Sequence, residues 1–146
     1  MFTEQAVMQV KWLKEVGEQL ETRKKDQLGR LANQIIREFS EYWEGRRKIF
    51  SIPYIFSIGT PFQHRVWQQI ASIPYGSTIS YGRLSLLIKG TSLASRAVGQ
   101  ACAKNPLPLI IPCHRVVKSD GSPGYYLAPD GALLKAKLIA FEKENK

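Results

Sequence analysis

Residues 80–103 read SYGRLSLLIKGTSLASRAVGQACA. Ser80 offers a side-chain oxygen where a helix can begin, and Leu84, Leu87 and Ile88 are the apolar positions of a helix over about 81–89. Gly90 can end that helix. Thr91, Ser92 and Leu93 then form a three-residue turn, and Ala94–Ala103 reads as a second short helix. Two short helices joined by a tight, glycine-containing turn resemble a helix-turn-helix. The second helix is built from small residues: Ala94, Ser95, Ala97, Gly99, Ala101 and Ala103. Such residues let a backbone come close to another surface, either a neighbouring helix or DNA. Arg96 is the one long cationic side chain on it.

Upstream, Thr60-Pro61-Phe62-Gln63 opens a helix. Thr60 can cap it, Pro61 suits the first turn, and Gln63 completes a capping box. Phe62, Val66 and Ile70 share one face, and His64 falls on the opposite, solvent-facing side. Ile73–Gly76 is a turn. Residues 49–58, IFSIPYIFSI, read as an extended linker in which Pro53 argues against a central strand. A boundary here divides the chain into an N-terminal region, 1–57, and a C-terminal domain, 58–146. Residues 1–50 contain no Pro and three Gly. Leu28, Leu31, Ile35, Phe39 and Tyr42 recur at helical spacing, which predicts an amphipathic helix over about 18–44 that stops at Gly45. Ala6–Val10 is a weak candidate for a short strand.

Downstream, Asn105–Pro108 is a rigid, non-helical break. Leu109-Ile110-Ile111 is a short apolar run, expected to be a buried strand, and Cys113-His114 follow. Residues 118–131 are loop, marked by Asp120-Gly121, Pro123-Gly124 and Pro129-Asp130-Gly131. Asp130 can cap a last helix to about 143. In it Leu134, Leu138 and Glu142 fall at i, i+4 and i+8, so Glu142 continues an apolar stripe.

A nucleophilic thiol needs a base or a depressed pKa. The chain has two His. With His64 facing solvent, His114 is the candidate base for Cys113. Neighbours on a strand point to opposite faces, so either a turn at Pro112 or a bridging water must link the two. A partly buried Glu142 could orient the imidazole. The same residues also fit a buried, inert cysteine beside a structural histidine, and Cys102, with no base near it, fits only that reading. A Cys-His hydrolase would need a third group and an oxyanion hole, and it leaves the Arg96 helix without a role.

The formal charge is +9, from 21 Lys and Arg against 12 Asp and Glu, which is compatible with nucleic acid as a partner. Hydrophobic residues make up 44% of the 146, enough for a sizeable core. No signal peptide and no membrane span are read, so a reducing, cytoplasmic setting is expected. The two Cys and two His show no CxxC or HxxxH pairing, so no metal site is expected.

IPCHRVV at 111–117, preceded by NPLPLI, resembles the active-site signature of the O6-alkylguanine-DNA alkyltransferases. GTPFQHRVWQQI, IPYGSTISYGRL and SRAVGQACAKNPLPLIIPCHRVVKSDG resemble further family blocks in the family's order, over residues about 35–143. The resemblance implies an α+β, mainly helical fold: a winged helix-turn-helix C-terminal domain behind a short, reduced N-terminal region. It implies binding in the DNA minor groove, flipping of the damaged guanine, and irreversible transfer of its O6 alkyl group to Cys113, once per molecule and with no cofactor. His114 would act as base through a water, with Glu142 orienting it. Arg96 would enter the stack in place of the flipped base, on a face formed with Ala94, Ser95, Ala97 and Gly99. Tyr81 would help rotate the nucleotide and donate a hydrogen bond to the base. Asn105 would tie the helix-turn-helix to the active-site strand. Val116, Tyr126 and Leu127 would line the base pocket. The expected partner is double-stranded DNA containing O6-alkylguanine, met by a monomer. Where the family usually reads GY-x-GG after the active site, this chain has a longer loop over 124–131 without the paired glycines. That loop is the one feature that fits a second function, a damage sensor that binds alkylated DNA without efficient transfer.

Overall fold

A computed structural model describes residues 6, 7, 9, 10, 29–126 and 130–146. Its helices are α1 (Arg30–Trp43), α2 (Pro61–Ala71), α3 (Tyr81–Lys89), α4 (Ser95–Ala103) and α5 (Gly131–Glu144). Two short strands, β1 (Ile79–Ser80) and β2 (Val116–Val117), pair in parallel, with Ile79 opposite Val116 and Ser80 opposite Val117. The class is α+β and mainly helical, as the sequence implies. No helix among the described residues is long and apolar enough to cross a membrane.

Local chemistry sets the start of α2 and both ends of α3. Gln63 N–H donates to Thr60 Oγ1 at 3.3 Å and Thr60 N–H donates to Gln63 Oε1 at 2.9 Å, so the expected capping box closes α2. Ser80 Oγ accepts from Arg83 N–H at 3.1 Å and starts α3. Gly90 ends it at φ 70°, where an L side chain would cost about 1 kcal/mol. A 3₁₀ turn, Ser92–Ala94, then leads straight into α4. The start of α5 differs from expectation. Asp130 makes no capping bond through its side chain and sits at φ 56°. Close packing governs this end instead, since a Cβ on Gly131 would lie 2.3 Å from the Tyr126 carbonyl oxygen.

One core cluster holds the elements together. It includes Val66, Trp67 and Ile70 of α2, Leu84 of α3, Val98 and Ala101 of α4, Val116 of β2 and Leu138 of α5. The indole N–H of Trp67 donates to the Ala101 carbonyl at 2.8 Å, which ties α2 to the last turn of α4 and satisfies a helix-end acceptor. Leu31, Tyr42 and Ile52 join the same cluster from the N-terminal side. The stripe on α1 buries Leu31 and Tyr42 and half-buries Ile35 and Phe39, as its spacing predicts; positions 18–28 of the expected helix lie outside the described residues. At the candidate strand near residue 7 the pairing among the described residues is a bridge between Val7 and Tyr54, and Pro53 contributes its carbonyl, accepting from Val7 N–H at 2.8 Å.

Two further expectations are corrected. Leu109-Ile110-Ile111 is buried but is not a strand. It forms a tight turn with Leu109 at φ 72° and Ile111 N–H donating to Leu107 O at 2.8 Å. His64 does not face open solvent. It is half-buried, bonds the Ile58 carbonyl at 2.8 Å, and stacks near Phe56 and Trp67, because residues 56–58 fold back over that side of α2.

Candidate active site

The turn at Leu109 sets the position of Cys113. A leucine in the left-handed region is strained by about 1–2 kcal/mol and persists only where its surroundings fix it. Asn105 supplies the fixing bonds. Its Oδ1 accepts from Leu107 N–H at 3.0 Å and its Nδ2 donates to Ile111 O at 2.8 Å, so one buried amide spans the turn. The same Nδ2 lies 3.1 Å from Cys113 Sγ. Asn105 thus ties the end of α4 to the Leu107–Cys113 segment, which is a turn where a strand was expected.

Cys113–Arg115 is itself a 3₁₀ turn that follows Pro112, and all three side chains are buried. Of the two expected routes the turn forms, yet it does not join thiol to imidazole. His114 points the other way: its Nε2 meets Glu142 Oε1 at 2.7 Å, while Nδ1 is buried without a hydrogen-bond partner among the described residues. Glu142 is a hub. Its Oε1 also accepts from Tyr42 OH at 3.0 Å and Arg115 Nη2 at 2.9 Å, and its Oε2 accepts from Arg115 Nε at 2.8 Å and Gly76 N–H at 3.1 Å. Burial works to raise this carboxyl, but the bonds and charges of His114 and Arg115 outweigh it and hold the pKa at about 2. An ionised Glu142 can only accept, so His114 Nε2 carries the proton and Nδ1 presents a lone pair. Burial also lowers the His114 pKa, against the pull of Glu142. At rest the imidazole is neutral, with its basic nitrogen free.

Burial pushes the Cys113 thiol up, opposed by the Asn105 hydrogen bond, the Lys135 charge and the Tyr126 hydroxyl. The resting thiol is therefore protonated, and Asn105, Lys135 and Tyr126 are the groups that favour its anion against burial. Lys135, on α5, is buried, and its Nζ donates to Tyr81 OH at 2.9 Å and sits 5.2 Å from the centre of that ring. Burial keeps the Tyr81 phenol above its ordinary pKa, so it remains a donor at neutral pH. Val116 and Tyr126 are buried in the cluster that contains Cys113. Leu127 lies outside the described residues.

Arg96 and its neighbours are separate from this buried set. Arg96 is exposed on α4, with Ala94, Ser95, Ala97 and Gly99 half-buried beside it. Gly99 links the two regions, because a Cβ there would meet the Tyr81 ring at 3.9 Å and nothing nearer. Cys102 is buried and its pKa is raised by burial, in keeping with an inert core thiol. No group of three or more His, Cys, Asp or Glu among the described residues is arranged to hold a metal ion.

Residues 61–144 match the family model described as 6-O-methylguanine DNA methyltransferase, DNA binding domain. The chain belongs to this methyltransferase family. It is 43% identical over 108 residues to the constitutive methylated-DNA–protein-cysteine methyltransferase of Bacillus subtilis, covering 73% of this chain and 63% of that protein. Over 88 residues it is 49% identical to the bifunctional transcriptional activator/DNA repair enzyme Ada of Escherichia coli, covering 60% of this chain and 24% of Ada. The chain thus spans less than two-thirds of these relatives. Among solved structures, the Mycobacterium tuberculosis OGT in complex with DNA superposes with a TM-score of 0.72 at 36% identity, covering 77% of this chain and 68% of that one.

Three residues of this family member escaped sequence reasoning. Arg115 neutralises Glu142, Tyr42 reaches it from α1, and Lys135 backs Tyr81. Lys135 precedes Leu138 and Glu142 by three and seven positions, so the α5 stripe carried back one turn reaches it. For Tyr42 the signal is a phenol on a buried stripe, whose hydroxyl requires a partner.

Proposed function

We propose that this chain repairs O6-alkylguanine in double-stranded DNA by moving the alkyl group onto Cys113, once per molecule. The observation that carries this reading is the polarity of His114: Nε2 is committed to Glu142 and Nδ1 is left basic, one residue from a buried thiol held by Asn105. A water between Nδ1 and Sγ would pass the thiol proton to His114, and Glu142 would stabilise the imidazolium. The thiolate then attacks the alkyl carbon. An S–C bond forms, the C–O6 bond breaks, and the electron pair returns to the purine, where the Tyr81 hydroxyl is the donor. The thioether left on Cys113 has no proton to lose and no easy leaving group, so the site does not reset.

The lesion must leave the helix to reach a buried thiol. Flipping costs a few kcal/mol, and Arg96 entering the vacated stack from the minor groove offsets part of it. The small side chains of α4 and the net charge of +9 both favour close approach to the phosphate backbone. In this reading residues 58–146 carry the chemistry, residues 1–57 brace it through Tyr42, and the protein works as a cytoplasmic monomer on chromosomal DNA. Val116 and Tyr126 would line the base pocket.

Intact mass before and after mixing with duplex DNA containing O6-methylguanine tests the proposal. One methylene equivalent gained on the Cys113 peptide is the expected result. Cys113→Ala should bind the same duplex and gain nothing. Binding by the wild-type chain with no mass gain would instead make it a damage sensor.

A further inference from the structure

Leu93 is 91% exposed, the most of any large apolar side chain among the described residues. A lone exposed leucine is ordinary; its setting is not. Leu93 lies inside the Ser92–Ala94 turn that joins α3 to α4. Its N–H donates to Thr91 Oγ1 at 3.2 Å, Ser85 Oγ donates to Thr91 O at 2.6 Å, and Ser95 Oγ donates to Ser92 O. Bonds on both sides therefore fix the backbone that displays this side chain. It precedes Arg96 by three positions and Gln100 by seven, so the three share the exposed side of α4, opposite buried Val98, Ala101 and Cys102. A preorganised apolar side chain loses little freedom on docking and removes apolar surface from water when covered.

We propose that Leu93 is the apolar anchor of the DNA-binding face. It seats in the minor groove against the deoxyribose and base edges beside the displaced nucleotide, next to Arg96. This rests on the reading that α4 lies against DNA. Leucine is among the side chains that wedge against base steps from the minor groove. Contacts of this kind leave the salt dependence of binding untouched, whereas each phosphate contact steepens it. Division of labour follows: Arg96 and the chain's excess of positive charge supply the salt-dependent attraction, and Leu93 supplies a contact that persists in high salt.

The experiment uses the full chain, as wild type, Leu93→Ala and Leu93→Met. Binding to a duplex containing O6-methylguanine is measured across a salt series, and transfer is measured both from that duplex and from O6-benzylguanine as a free base. Leu93→Ala should bind the duplex roughly tenfold more weakly with an unchanged salt slope. Its transfer rate from the free base should equal wild type, and Leu93→Met should restore most of the binding. Unchanged duplex affinity in Leu93→Ala would overturn the proposal, as would a shallower salt slope or an equal loss with the free base. Wild-type protein that binds no duplex DNA would overturn the α4 reading and this proposal together. Wild type that binds and transfers beside an unaffected Leu93→Ala would overturn this one alone.

Discussion

The Glu142 network and the α4 face are built on opposite principles. Around Glu142 one carboxylate takes bonds from the side chains of Tyr42, His114 and Arg115, all buried, and from the backbone N–H of Gly76. Along the Ser92–Ala94 turn and the outer face of α4, Leu93, Arg96 and Gln100 are exposed, and the residues between them are small apart from buried Val98. The first region is over-determined by its own contacts and the second is left open. A transfer reaction needs both. The base must hold one tautomer and one orientation before substrate arrives, whereas a surface that meets DNA gains its partners only then.

The contrast predicts that substitutions at Glu142 strike the fold and the chemistry together. Glu142→Gln leaves Arg115 as a buried cation without its counter-charge, and stability should fall by about 3–5 kcal/mol in urea denaturation. The transfer rate should fall by about a hundredfold or more as the imidazolium loses its support. Tyr42→Phe removes one donor and should cost about 1 kcal/mol. A Glu142→Gln protein as stable as wild type would show that the hub is not what holds this region.

The same network gives a pH signature. Burial lowers the His114 pKa from 6.5 in the unfolded chain, so below that pH the unfolded state takes up a proton that the folded state refuses. Stability should start to fall as pH drops through 6.5. Glu142 adds to the loss between its ordinary 4.5 and its folded value of about 2. Thermal melts of wild type and His114→Asn across pH 7 to 5 check this, and identical curves in that window would remove His114 from the account.

Asn105→Ala is a smaller probe of the same side. It strands the Leu107 N–H in the core, leaves the Ile111 carbonyl with only the Cys113 N–H, and frees the strained Leu109 turn, at a cost of about 1–3 kcal/mol. Transfer should fall by more than that loss alone explains, because Cys113 Sγ loses its nearest donor. Equal activity per folded molecule would reduce Asn105 to a structural brace.

These two regions also differ in how much of them a reader can see in the chain. Helix caps and stripes are local, so the Thr60 box, the Ser80 cap, the Gly90 stop and the burial of Glu142 follow from neighbours within a few residues. Arg115, Lys135 and Tyr42 meet their partners across 27, 54 and 100 positions, and although helical stripes mark Lys135 and Tyr42 as buried, nothing local names the partner of any of the three. The Leu109 turn was hidden for a different reason. Three apolar residues are too few to show a period, and only the Asn105 bonds reveal that the backbone reverses there.

On the open face the effects should be on binding and not on stability. Arg96→Ala removes an exposed cation, so unfolding should change by no more than about 0.5 kcal/mol. Affinity for duplex DNA should drop, and the salt slope should become shallower by about one if Arg96 also meets a phosphate. A drop without a slope change would assign Arg96 to the base stack alone.

Gly99→Ala is the finest test because it separates the two regions by sign. Glycine inside a helix costs about 0.5–1 kcal/mol relative to alanine, and α4 could accept the added methyl, since its nearest neighbour would be the Tyr81 ring at 3.9 Å. Packing within the fold therefore gives no reason for glycine here. If close approach by DNA is the reason, Gly99→Ala should melt higher and bind duplex DNA more weakly at the same time. A variant that is more stable and binds equally well would mean that the small residues of α4 leave room for nothing. One that is less stable would move Gly99 out of the open face and into the buried half of the molecule.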